Sequence, residues 1–214
     1  MSNYRRLSSN FYQQNTFKLA QALLGKYLVR KDGLNILIGK IVETEAYYGP
    51  SDKASHASRG KTGRTKIMFG QPGLTYIYLV YGMYYCFNIV TEAKDFPAAI
   101  LIRALEPISG IKQMVNNRHL SSQKFLSLIP NSQSPIPNIT NGPAKLCQAL
   151  KIDKKLNGIN LITNTKLYLA ENPKEKTRSA QIQYAKRIGV DYAGDYKHKL
   201  WRYYLKNSHF ISKL

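Results

Sequence analysis

Acidic residues are scarce in this chain: 12 Asp and Glu stand against 32 Lys and Arg over 214 residues, a formal charge of +20. A compact surface this positive repels itself, and the usual reason to tolerate that is a polyanionic partner, nucleic acid or an anionic membrane. Cysteine is scarcer still. Cys86 and Cys147 cannot build a disulfide framework, and no CxxC or Cys/His cluster suggests zinc. Both are read as small buried residues of a reducing compartment. Met1-Ser-Asn-Tyr-Arg-Arg6 has no apolar run behind it, so no secretory signal is expected. No internal repeat and no clean linker divides the sequence, and the apolar fraction of 43% is that of a globular protein. One domain over residues 1–214 is the expectation.

A long membrane-like run is also missing, although one stretch imitates it. Ile67 to Thr91 holds twenty-five residues without a charge, but it contains Gly70, Pro72, Gly73, Gly82, Asn88 and five tyrosines. A bilayer helix of ~20 mostly apolar residues rarely carries that load. Leu74–Val80 and Tyr84–Val90 are rich in β-branched and aromatic residues, with Tyr81-Gly82-Met83 as a short connector. The pattern predicts a β-hairpin.

Helical spacing of Phe17, Ala20, Leu23 and Leu24 predicts a helix over Thr16–Leu24, stopped by Gly25. Ile36–Tyr47 reads as a strand or strand pair, and Ala98–Ala104 as another strand. A helix is expected over Ile111–Leu120, and another starting at Pro143 with Leu146, Ala149 and Leu150 on its buried face. Ser121–Gly142, rich in Ser, Asn and Pro, reads as a surface loop. Leu167–Ala170 and Trp201–Leu205 are further strand candidates. The expected class is α+β, a mostly antiparallel curved sheet with peripheral helices and a protruding hairpin.

The charge is distributed, not confined to a tail. No acid lies between Asp52 and Glu92, where Lys53, Arg59, Lys61, Arg64 and Lys66 occur, and none lies between Glu106 and Asp153. Several basic patches on a folded surface fit this better than a detachable arm. Within Ile41-Val-Glu-Thr-Glu-Ala-Tyr47, period-two spacing puts Glu43, Glu45 and Tyr47 on one face together with Ile41. Taken alone, such glutamates are ordinary solubilising residues on the outer face of a strand. His56 stands between this acidic strand and a basic, glycine-containing segment, although a lone histidine is more often structural than catalytic. Most of the hairpin tyrosines are good strand residues, half packed and half wet. Tyr81 differs, because a hairpin tip rarely needs a large ring for packing; aromatics on a basic protein can wedge between bases.

The ordered set Glu43-Thr-Glu-Ala-Tyr47, Gly49-Pro50, Asp52, His56, Met68-Phe69, Pro72-Gly73, Tyr78-Leu-Val-Tyr-Gly-Met-Tyr84, Asn88 and Arg103-Ala-Leu-Glu-Pro107 resembles the alkyladenine (3-methyladenine, methylpurine) DNA glycosylases. Asn141-Gly-Pro-Ala-Lys-Leu-Cys147, Arg187-Ile-Gly-Val190 and Tyr192-Ala-Gly194 extend the resemblance over nearly the whole chain. It implies a monofunctional enzyme without lyase activity, releasing damaged purines flipped out of double-stranded DNA. Glu45 would activate the water, with Arg103 and the Val190 carbonyl holding carboxylate and water. Tyr47 and His56 would lie against one face of the base and Tyr78 against the other, Asn88 would crowd the 2-position, and Tyr81 would fill the vacated stack. The resemblance further implies no cofactor and no metal, no membrane partner, a monomer, and an intracellular place: bacterial cytoplasm and nucleoid, or a eukaryotic nucleus. Against the vertebrate members, the Glu92–Pro97 stretch is about two residues longer and Asp191 replaces a glycine. A non-enzymatic RNA- or ribosome-binding protein is the alternative from composition, but it has no reason to assemble Glu45, His56 and Arg103. A peripheral membrane protein lacks a long basic amphipathic helix.

Overall fold

The computed structural model describes residues 4–120, 139–175 and 181–213. Its nine described strands join one unclosed sheet in which every pairing is antiparallel: β1 (Arg5–Arg6), β2 (Tyr27–Asp32), β3 (Asn35–Tyr48), β4 (Thr75–Val80), β5 (Tyr84–Val90), β6 (Ala98–Ser109), β7 (Leu167–Glu171), β8 (Ile182–Ala185) and β9 (Arg202–Leu205). The main path runs β1-β7-β2-β3-β6-β5-β4, and the β8–β9 pair attaches to β3. Four described helices border it: α1 (Ser9–Tyr12), α2 (Thr16–Ala22), α3 (Ile111–Asn117) and α4 (Pro143–Ala149). This is the expected α+β class.

The helices arise where local chemistry supports them. The Asn15 side chain accepts from the Phe17 N–H at the start of α2, and Pro143 takes the first position of α4, where no N–H is needed. Two helices stop short of the expected limits, α2 at Ala22 and α3 at Asn117. Leu19, Ala20 and Leu23 of the α2 region and Leu146, Ala149 and Leu150 of the α4 region meet Phe87, Ile89, Ile100 and Ile102 in the main core. β2 is not expected from the sequence because its last three residues, Arg30-Lys31-Asp32, break the apolar pattern, and β1, two residues long, is too short to announce itself. Residues 121–138 of the expected loop lie outside the described residues.

Alternation gives the sheet two jobs. In β5, Phe87 and Ile89 face the main core, while Cys86 and Asn88 line a cleft on the other face. In β6, Ile100 and Ile102 face the core, while Ala99, Leu101 and Arg103 line the cleft. β3 follows the same plan only after a change of phase. Ile41 packs in the main core together with Ala46, so it does not share the face of Glu43, Glu45 and Tyr47 as period two predicts. The register explains the correction. Ile41 pairs with Leu105, Glu43 with Ala104 and Thr44 with Ile102, leaving Val42 unmatched on β3 and Arg103 unmatched on β6. A bulge inserts one residue and flips every side chain beyond it. At this point β3 also exchanges neighbours, from β2 at residues 35–40 to β9 at Glu43–Glu45.

Candidate active site

The cleft has a volume of about 540 Å³ and is lined by Tyr47, His56, Arg64, Tyr76, Tyr78, Cys86, Asn88, Leu101, Arg103 and Ile188–Val190, among others, with Tyr81 at its rim. That volume, and a wall that sets six tyrosines and His56 among small apolar and polar residues, suit one flat organic ring system with a few polar anchors. The structure therefore brings Tyr47, His56, Tyr78, Tyr81, Asn88, Arg103 and Val190 to one place.

Glu45 sits one layer below the wall. It is fully buried, and three groups of the wall donate to it: the Tyr47 hydroxyl to Oε2 (2.9 Å), Arg103 Nη1 to Oε2 (3.2 Å) and the Ile188 backbone N–H to Oε1 (2.7 Å). A carboxylate offers about four acceptor positions, so roughly one is left for a further donor. Burial pulls the Arg103 guanidinium down, but the carboxylates of Glu45 and Glu43 outweigh it and leave the group raised, a fixed cation. The Tyr47 phenol is pushed well up by burial and by the Glu45 charge, so it stays a hydrogen-bond donor. The Val190 carbonyl accepts from the Ala193 N–H at 2.9 Å, which fixes the turn that brings Val190 to the cleft.

His56 opens a short 3₁₀ turn, His56–Arg59, capped by the Ser55 side chain, which accepts from the Ala57 N–H. Its Nδ1 is 2.9 Å from the Tyr76 hydroxyl, and its ring meets Tyr78 edge to face at 4.5 Å. Burial, followed by the charges of Arg64 and Arg59, pulls its pKa from 6.5 to about 4, so the imidazole is neutral at neutral pH. The Arg64 guanidinium lies 4.9 Å from the Tyr78 ring centre. Asn88 is buried, its amide donating to the Tyr76 and Cys86 carbonyls at 3.0 and 3.4 Å. Tyr81 is 87% exposed at the hairpin tip, where it and Gly82 take positive φ of 53° and 70°. Asp191, also exposed, lies next to Val190.

Several supporting residues escaped the sequence reading. The Ile188 contact uses only a backbone N–H, which no side-chain pattern signals. Asp52 and Arg187 form a fully buried bidentate pair at 2.6 and 2.8 Å, and the same guanidinium stacks over Tyr47 (4.7 Å) and Trp201 (4.9 Å). Both residues lie in the motifs quoted above, but nothing local says that they meet. Cys86 and Cys147 are free and buried. Among the described residues no group of three His, Cys, Asp or Glu gathers as metal ligands, and no helix is long and apolar enough to cross a membrane.

Comparison with known proteins bears on the same residues. The model of the methylpurine-DNA glycosylase (MPG) family matches residues 10–209. A Clostridium perfringens (strain 13 / Type A) protein is 46% identical over 209 residues, 97% of this chain and 99% of its own length. A Methanocella arvoryzae protein is 45% identical over 207 residues (97% and 96%), and a Legionella pneumophila protein 44% identical over 209 (98% and 99%). All three carry the name "Putative 3-methyladenine DNA glycosylase". With the likeness running through almost every described element and the whole cleft, the chain belongs to the methylpurine-DNA glycosylase family.

Proposed function

We propose that this chain is a monomeric, monofunctional base-excision enzyme that hydrolyses the N-glycosidic bond of alkylated or deaminated purines flipped out of duplex DNA, inside the cell. The buried Glu45 carboxylate, clamped by three donors behind an aromatic cleft, carries the reading. A purine in the stack is out of reach, so it must leave the duplex at a cost of roughly a few kcal/mol. Tyr81, projecting from the hairpin tip, fills the gap it leaves. The incoming base parts the edge-to-face contact of His56 and Tyr78 and stacks between the aromatic walls, Tyr47 and His56 on one side and Tyr78 on the other. Neutral His56 and buried Asn88 then read the purine edge.

As the base engages Tyr47, the Tyr47 hydroxyl gives up Glu45 Oε2, and a water takes its place. Glu45 accepts that water's proton while the oxygen attacks C1′ of the deoxyribose and the glycosidic electrons leave with the purine. The carboxylate charge also favours the oxocarbenium-like transition state, and the Val190 carbonyl orients the water. Arg103, donating from Nη1, keeps Glu45 aimed. No lysine is assigned to attack the sugar, so the product is an intact strand with an abasic site.

Duplexes carrying one hypoxanthine or one ethenoadenine test this. The native chain is expected to release the base, with strand breaks appearing only after alkali. Breaks without alkali would contradict the monofunctional reading, and no release from duplexes carrying alkylated or deaminated purines would contradict the activity.

A further inference from the structure

We propose that Glu43 and Ser212 are positioning residues that hold the Arg103 guanidinium so that one of its edges faces Glu45; the inference rests on the catalytic role proposed for Glu45. Glu43 is fully buried, yet it does not line the cleft. Its Oε1 accepts from Arg103 Nε (3.1 Å), Arg202 Nη1 (3.0 Å) and Ser212 Oγ (3.0 Å), and its Oε2 accepts from the Ser212 backbone N–H (2.6 Å). The Ser212 hydroxyl oxygen in turn accepts from Arg103 Nε (3.3 Å) and Nη2 (3.1 Å).

Only Nη1 of Arg103 is turned to Glu45. A guanidinium is a rigid planar fork, so fixing Nε and Nη2 from behind fixes the direction of Nη1 in front. Arg103 needs such a brace because it is the unmatched residue of the β6 bulge, where the ladder does not constrain it. The brace comes from the far end of the chain: Arg202 Nη1 also donates to the Lys213 carbonyl (2.8 Å), which straps the terminal segment across Glu43. A buried ionic cluster is a poor way to gain stability, since well-packed apolar residues do as well or better. Here four charges, Glu43, Glu45, Arg103 and Arg202, are spent on geometry.

Base release under single turnover, lesion-duplex affinity and the nitrogen-15 NMR signal of the Arg103 Nη2–H test the proposal in the whole chain. Ser212→Pro removes both the N–H and the hydroxyl. It is expected to slow base release about tenfold, the scale of a small misplacement of a catalytic group, while affinity changes less than about twofold. Ser212→Thr, which keeps both donors, is expected to restore the native rate. The Arg103 Nη2–H signal, from the nitrogen that donates to Ser212 Oγ, exchanges slowly with solvent in the native chain and in Ser212→Thr, and fast in Ser212→Pro. A native release rate in Ser212→Pro, a rate loss matched by an equal affinity loss, or a slowly exchanging signal retained in Ser212→Pro would each overturn it. Should the native chain release no base, the catalytic reading of Glu45 falls, and the exchange measurement alone still decides whether Ser212 holds Arg103.

Discussion

Ile188 donates its backbone N–H to Glu45 Oε1 across 2.7 Å, joining residues 143 positions apart in the chain. From the opposite side Arg103 and Tyr47 hold Oε2. The carboxylate is thus gripped by a late loop and by two strands, and none of the three donors lies within one residue of it in sequence.

Glu45→Gln replaces an acceptor-only group with one that presents an NH₂ to a set of donors. Lesion-duplex binding is expected to persist, while base release falls by about three orders of magnitude. Single-turnover release on a hypoxanthine duplex is the measurement; native turnover by this variant would remove Glu45 from the reaction. A stability loss of about 1–3 kcal/mol in urea unfolding should accompany it, because one donor is left facing another.

Tyr81 occupies a left-handed conformation, φ +53°, that suits Asn or Gly better than a bulky ring. Tyr81→Asn is therefore expected to leave thermal stability unchanged or slightly raised. Affinity for a lesion duplex should fall about tenfold, the scale of one lost stacking contact. Undiminished affinity in a binding titration would refute the wedge.

Asp52 neutralises Arg187 where both side chains are fully buried, and it also accepts from the Tyr48 and Ala54 N–H groups. Asp52→Ala strands the guanidinium beneath Tyr47 and should cost about 3–5 kcal/mol in urea unfolding. A loss below about 1 kcal/mol would show that the pair contributes little beyond packing.

The His56 pKa falls from 6.5 in the unfolded chain to about 4 in the fold. Between those values the unfolded chain binds a proton that the folded chain refuses. The stability associated with neutral His56 is complete above that window and is lost as pH falls through it. The native chain should then lose more unfolding free energy than His56→Gln between about pH 7 and about pH 4.5. Parallel losses would mean that His56 titrates alike in both states.

Much of the site was legible because its residues belong to short ordered motifs. The hairpin was read with its strand limits nearly intact, since β-branched and aromatic residues mark both strands and Gly82 marks the turn. Glu45, His56, Asn88 and Arg103 were named from their motif positions, and the structure gathers them around one cleft. The face of Ile41 was misread, because alternation assumes an unbroken ladder and the bulge beside Val42 breaks it.

By itself, then, the sequence determined the composition of the machine: a strongly basic chain, an uncharged tyrosine-rich hairpin, and a strand that carries two of only twelve acids. The tertiary structure alone decided how they act together. Which face the acids occupy depends on a bulge set by pairing with β6, and what holds them depends on Ile188, Arg202 and Ser212, brought from beyond 140 residues away. Local propensity follows side-chain period and is written along the chain. Register and long-range hydrogen bonds are settled only when distant segments compete for the same backbone and the same buried charge.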